Sequence, residues 1–113
     1  MLVSDAMPSV GGAKSFMLNG EKISAAGGKC VNALGTLAGS DLDMASAIRN
    51  AVTMLGVDLA EAALMASANP AAFLGLDHEL GQIAPGTRAN LVVLDDRLQV
   101  IECWIDGARS GRQ

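Results

Sequence analysis

The feature that most constrains this chain is an Asn-Gly pair, Asn19-Gly20, between two short runs of strand-forming residues. Ser15–Leu18 precedes the pair and residues 21–24 follow it. Both central positions of a tight hairpin turn need positive φ angles, which asparagine and glycine adopt most readily. The pair therefore predicts an antiparallel hairpin.

The remainder of the chain places helices between two groups of strands. Apolar residues recur at helical spacing from Met44 to Leu55 and stop at Gly56, which is typical of an amphipathic helix ended by a C-terminal glycine. The predicted elements are strands over 15–18, 21–24 and 29–31, a helix capped at Ser40 with Asp43, a helix that begins at Asp58, a short helix opened by Asn69-Pro70, and strands over 91–94 and 100–105. Strands, then helices, then strands predict an α+β fold.

Composition and charge exclude several classes of protein. The 113 residues are 50% hydrophobic, which predicts one globular domain, and no apolar run approaches the ~20 residues of a membrane helix. The 12 acidic and 8 basic residues give a net charge of −4, and the basic residues are scattered singly, which argues against nucleic-acid binding. Cys30 and Cys103 form no paired motif, so we expect buried thiols and a cytoplasmic protein, with a disulfide between the two cysteines as the alternative.

The first residues carry a candidate catalytic group. A strand-like apolar start at Met1 leads to a carboxylate at Asp5, and a glycine-containing loop follows. Barrel enzymes place catalytic side chains at the ends of strands. The alternative is that Asp5 is an ordinary turn or cap residue, and spacing alone does not separate the two.

Four segments together resemble one family of enzymes. Residues 3–8 (VSDAMP) are similar to the end of the last barrel strand in N-acetylglucosamine-6-phosphate deacetylases, and residues 35–40 (GTLAGS) resemble their substrate loop. Residues 66–71 (ASANPA) match a further segment of that family. Residues 81–86 (GQIAPG) resemble a signature of the wider amidohydrolase superfamily.

The resemblance implies the C-terminal portion of such an enzyme, because members of the family are several-fold longer. Residues 1–14 and 35–78 would then belong to the end of the hydrolase barrel, as its last strand and helices. Residues 15–34 and 79–109 would form part of the small β-sandwich domain beside the barrel, and 110–113 a tail.

The resemblance also implies the site. Asp5 would act as general base and acid, and the backbone of Leu37, Ala38 and Gly39 would line the pocket for an amino-sugar phosphate. A divalent metal ion, zinc or iron, would polarise the acetamide, but its glutamate and histidine ligands are absent from this chain. His78 is the only histidine, and without partners it is predicted to be a solvated loop residue rather than a ligand.

The predicted reaction is hydrolysis of N-acetyl-D-glucosamine 6-phosphate to D-glucosamine 6-phosphate and acetate, with this chain alone inactive. Residues 81–86 would suit another amidohydrolase, such as a cyclic-amide hydrolase, equally well. A non-enzymatic remnant or interaction module is the third alternative. The apolar helix face with Met44, Ile48 and Val52 would then meet water, which predicts a homo-oligomer.

Overall fold

A computed structural model describes residues 1–111, which form seven strands and three helices in an α+β arrangement. The chain divides into two compact units, one of Val3–Ala47 and the other of Met1–Leu2 with the described residues from Ile48 onward. The elements are β1 (Ser15–Leu18), β2 (Glu21–Ala26), β3 (Lys29–Val31), β4 (Leu37–Ser40), α1 (Met44–Leu55), α2 (Leu59–Ala66), α3 (Ala68–Phe73), β5 (Leu91–Leu94), β6 (Val100–Ile105) and β7 (Ala108–Arg109).

The unit of Val3–Ala47 is built on an antiparallel sheet with the strand order β1-β2-β3-β4. Leu18 pairs with Glu21 across the first turn, and both turn residues have positive φ, 49° at Asn19 and 83° at Gly20. The predicted hairpin is confirmed. Cys30 and Ile23 are the buried side chains of this sheet, at 0% and 2% exposure.

Residues 37–40 form strand β4, so the prediction that Ser40 caps a helix is wrong. Helix α1 begins at Met44, and the Asp43 carboxylate accepts hydrogen bonds from the backbone N–H (2.8 Å) and hydroxyl (2.6 Å) of Ser46. The Ser40 hydroxyl instead donates to the Ser4 carbonyl. Ser40 therefore contacts the first residues of the chain rather than the first turn of α1.

The strand expected at the start of the chain is also absent from residues 1–5. The next residue, Ala6, makes an isolated parallel bridge with Ser40. Asp5 has a φ of 51°, and a left-handed residue interrupts the extended backbone that a strand requires. The start of the chain is thus attached to β4 without being a strand itself.

The other unit combines α2, α3 and a second antiparallel sheet with the strand order β5-β6-β7. The Asp58 carboxylate caps α2 by accepting from the Ala60 N–H at 2.9 Å, as predicted. Helix α3 begins at Ala68, so Pro70 is its third residue rather than its first. Pro70 still lies in the first turn, where a missing N–H costs nothing.

The expectation that both cysteines are buried thiols is met only in part. Both thiols are free, but only Cys30 is buried, and Cys103 is partly exposed. No helix among the described residues is long and apolar enough to cross a membrane. The predicted tail, 110–113, extends beyond the described residues, and the predicted division between barrel and sandwich stays a prediction.

Candidate active site

The structure brings Asp5 against the strand that carries Leu37, Ala38 and Gly39. The Ser40 N–H donates to the Asp5 carbonyl at 2.9 Å, and the Met7 N–H donates to the Ser40 carbonyl, also at 2.9 Å. These two hydrogen bonds flank the Ala6–Ser40 bridge. The residues singled out from the sequence are therefore neighbours, although more than thirty positions separate them.

The backbone of Asp5 is fixed, whereas its side chain is exposed. Its φ of 51° is uncommon for a residue other than glycine, and aspartate is among the few that tolerate it. Asp5 is exposed, and its carboxylate forms no hydrogen bond or ion pair within residues 1–111. Sparsely populated backbone conformations that are held by surrounding contacts cluster at functional sites.

Residues 37–39 contribute unequally to the surface beside Asp5. Cys30 pairs with Gly39 but Val31 pairs with Leu37, so Ala38 is the extra residue of a β-bulge. Bulges interrupt pairing and redirect side chains, often beside active sites. Leu37, at 65% exposure, and Ala38 line one side of a cavity of about 310 Å³. The other lining residues are Leu18, Asn19, Glu21, Ile23, Asn32 and Thr36.

Gly39 is required by packing inside this unit. A Cβ built on Gly39 would lie 2.6 Å from the Met7 Cγ, 2.8 Å from the Met7 Sδ and 3.0 Å from the Asp5 carbonyl oxygen. A larger residue would therefore require the Met7 side chain to move or β4 to shift from the segment that holds Asp5. The missing side chain serves that close approach, whereas the sequence interpretation assigned it to the approach of a ligand.

A charged pair next to this site was missed in the sequence. The Lys14 Nζ lies 2.9 and 2.8 Å from the two carboxylate oxygens of Asp41, and it also donates to the Ser9 carbonyl at 2.9 Å. Hydrogen bonds from Lys14 and then from the Ser9 hydroxyl lower the pKa of Asp41 below its ordinary 3.8. The partners are 27 positions apart, and no local spacing indicates such a contact.

The described residues do not provide a metal site. Among residues 1–111, no three side chains of His, Cys, Asp or Glu are grouped so that they could hold a metal ion. His78 is an exposed residue whose Nε2 lies 3.4 Å from the Glu79 carboxylate. The divalent metal implied by the resemblance therefore does not fit this set of residues.

Comparison with known proteins defines the class. The family model described as the amidohydrolase family matches residues 3–111, and the chain belongs to that family. Its relatives are amino-sugar phosphate deacetylases: N-acetylgalactosamine-6-phosphate deacetylase of Escherichia coli O157:H7 is 44% identical over 108 residues, which are 95% of this chain and 29% of the relative. N-acetylglucosamine-6-phosphate deacetylase of Haemophilus influenzae Rd is 35% identical over 109 residues, which are 94% of this chain and 29% of the relative.

The fold is similar to that of a solved member of the same group. The crystal structure of N-acetylglucosamine-6-phosphate deacetylase from Pasteurella multocida superposes with a TM-score of 0.90 and 32% sequence identity. The match covers 97% of this chain and 29% of the P. multocida chain. The chain thus spans less than a third of the length of each of these relatives.

Proposed function

We propose that Asp5 and strand β4 form one part of the active site of a deacetylase, which hydrolyses an N-acetylated amino-sugar 6-phosphate to the amino-sugar 6-phosphate and acetate. The observation that carries this proposal is that Ser40, at the end of β4, hydrogen-bonds to the backbone of Asp5 and Met7. The Asp5 side chain is exposed and forms no hydrogen bond or ion pair among residues 1–111. The sequence similarity to deacetylases supports the choice of reaction.

Asp5 would carry the proton transfers of this reaction. Amide hydrolysis requires that the attacking water lose a proton and that the departing amine gain one. A single carboxylate can do both in turn if it stays in one position, and the backbone at Asp5 is fixed by a hydrogen bond to Ser40 at 2.9 Å. Because no residue among 1–111 engages the carboxylate, it is free to contact substrate.

Leu37, Ala38 and Gly39 would bind the sugar through their backbone. Ala38 is the extra residue of the bulge in the β3–β4 register, and in this proposal its backbone would contact hydroxyl groups of the sugar. The adjoining Leu37 offers an exposed apolar surface on which a sugar ring can rest. Gly39 permits the close approach of this strand to Asp5, because a Cβ at Gly39 would lie 3.0 Å from the Asp5 carbonyl oxygen.

The identities favour the galacto configuration of the substrate. The N-acetylgalactosamine-6-phosphate enzyme shares 44% of aligned residues with this chain, and the N-acetylglucosamine-6-phosphate enzyme shares 35%. The two sugars differ only in the orientation of one hydroxyl group, at C4. N-acetylglucosamine 6-phosphate, expected from the sequence motifs, is the second candidate.

The test grafts residues 1–111 in place of the matching segment of the P. multocida enzyme, since the two superpose closely. We expect the chimera to release acetate from both N-acetylhexosamine 6-phosphates, with a preference for the galacto epimer, and not to hydrolyse a cyclic imide. The 113-residue chain alone should give no turnover with added zinc or iron. A folded but inactive chimera, or one selective for the imide, would refute the proposal.

Asp5→Asn in the chimera identifies the catalytic group. It should lower kcat by about a hundredfold to ten-thousandfold, the usual contribution of general acid–base catalysis. Asp96→Asn is the matched control, because Asp96 is an exposed aspartate outside the site. Equal effects of the two substitutions would remove Asp5 from the mechanism.

A further inference from the structure

The Lys14–Asp41 pair connects the two segments that hold Asp5. Ser9 lies on the loop that follows Asp5, and Asp41 follows the last residue of β4. By donating to the Ser9 carbonyl and to both oxygens of Asp41, the Lys14 ammonium joins this loop to the end of that strand. Ser40 makes the other connection, through its hydrogen bonds to Asp5 and Met7. The segment of residues 5–9 is thus attached at both ends.

The pair is better placed than an ordinary surface ion pair. The Asp41 side chain is only 16% exposed, although that of Lys14 is 59% exposed. The backbone on either side is anchored as well, because the Lys14 carbonyl accepts from the Ala25 N–H at 2.8 Å and the Asp41 N–H donates to the Gly28 carbonyl at 3.1 Å. The backbone of Lys14 is therefore held by β2, and the backbone of Asp41 is held by the turn before β3, so both partners of the ion pair start from fixed positions.

We propose that Lys14 and Asp41 are positioning residues for catalysis: their ion pair holds residues 5–9 against β4 and so keeps the Asp5 carboxylate where the reaction requires it. This inference rests on the proposed function for its catalytic consequence. Its structural half, the holding of Asp5 by the pair, is measurable without any activity. Displacements of about 1 Å at a catalytic group can cost a hundredfold in rate, so a contact remote from the substrate can matter.

Hydrogen exchange of the 113-residue chain tests the structural half. Lys14→Met retains most of the side-chain length but removes the charge and the donors, and it should speed exchange of the Met7 and Ser40 amides about tenfold relative to amides of the β1–β2 hairpin. Lys14→Arg, which can bridge the same acceptors, should leave both rates within about twofold. Lys22→Met, at an exposed lysine of β2, is the control. Unchanged rates at Met7 and Ser40 would overturn the proposal.

The kinetics of the chimera test the catalytic half. With rates expressed per folded enzyme, Lys14→Met and Asp41→Asn should each lower kcat about tenfold while KM stays within about twofold, and Lys14→Arg should restore kcat. An unchanged kcat, or an equal loss in Lys22→Met, would overturn the positioning role. If the unsubstituted chimera is inactive while exchange depends on Lys14, the proposed function fails and the holding of Asp5 stands.

Discussion

Asp5 shows how a single residue can be held in a backbone conformation that few residues other than glycine adopt. A left-handed backbone costs an L-residue roughly 1–2 kcal/mol relative to glycine. At Asp5 the cost is offset by the hydrogen bond from the Ser40 N–H to the Asp5 carbonyl. The nearby Met7 N–H also donates to the Ser40 carbonyl. The contacts that hold this backbone leave the carboxylate exposed, and it forms no hydrogen bond or ion pair among residues 1–111.

This strain predicts a reversal in the effects of glycine and alanine. Asp5→Gly should be more stable than Asp5→Ala by about 1 kcal/mol, because glycine adopts positive φ without a steric penalty. At Asp96, whose φ is not positive, the order should be the opposite, since glycine gains more freedom on unfolding. Urea unfolding of the four variants gives both differences. Greater stability of Asp5→Ala than of Asp5→Gly would show that Asp5 is unstrained.

The carboxylates of Asp41 and Asp106 should make the free energy of unfolding depend on pH in the acid range. The Lys14 and Arg88 partners lower the pKa values of Asp41 and Asp106 below 3.8 in the folded chain. Groups with a lowered folded pKa stabilise fully above their unfolded pKa, and this stabilisation is lost as the pH falls through the folded value. The free energy of unfolding should therefore decrease as the pH drops below about 4.

Replacing Arg88 tests whether the Arg88–Asp106 ion pair contributes to this pH dependence. Arg88 contacts Asp106 through two hydrogen bonds of 2.7 Å, so Arg88→Met should make the loss of stability below about pH 4 shallower. Arg97→Met is the control, because Arg97 is an exposed arginine whose side chain forms no ion pair among the described residues. Identical acid dependence in the two variants would exclude the Arg88–Asp106 pair as a source.

At the scale of elements, the loop that follows α3 is attached by close contact at a glycine. A Cβ on Gly81 would lie 2.8 Å from the Ala71 Cβ, 2.9 Å from the Ala68 Cα and 3.0 Å from the Ser67 carbonyl oxygen. Gly86 lies in the same loop with nothing within 4 Å of its Cβ position. Their φ angles are nearly equal, +90° and +91°. Comparing substitutions at Gly81 and Gly86 therefore distinguishes the cost of a positive φ from the cost of crowding around the Cβ.

Alanine substitutions at these glycines should differ by the cost of crowding. Gly86→Ala should destabilise by about 1–2 kcal/mol from its positive φ alone. Gly81→Ala should lose a further ~1–3 kcal/mol, because backbone atoms of α3 must move to admit the methyl group. Chemical denaturation measures both. Equal losses would mean that the loop shifts freely and does not need its contact with α3.

Elements with local signals were predictable from the sequence, and those that depend on distant partners were not. Asn19-Gly20 and the Asp58 cap carry their geometry in adjacent residues, and both are confirmed. Ser40 has the residue type of a helix cap, but it is the last residue of strand β4, and its hydroxyl donates to Ser4, 36 positions away. Because that partner is distant in sequence, β4 could not be predicted from the residues around Ser40. The candidate site has the same origin: a resemblance indicated Asp5 and Gly39, while no local pattern could show that they touch.

At the scale of the whole molecule, the remaining question is what covers the apolar surface. Met44, Ile48 and Val52, expected to meet water, are half-buried. The second sheet is different, because one of its faces carries Val92 and Ile105 at 59 and 60% exposure. The opposite face carries a polar cluster, in which Glu102 accepts from Trp104 (3.1 Å) and pairs with Arg109 (2.7 Å). The alternation of a strand makes the two faces chemically distinct.

This contrast predicts self-association through the apolar face of β5 and β6. Contiguous exposed apolar surface favours contact with another such surface, so the 113-residue chain should sediment above the monomer mass at high micromolar concentration. Ile105→Lys places a charge on this face and should weaken association at least tenfold, because burying an unpaired charge is costly. Val3→Lys is the control, since Val3 is 75% exposed but lies outside this sheet. A monomer at every concentration would contradict association, and equal loss in the two variants would assign it to another surface.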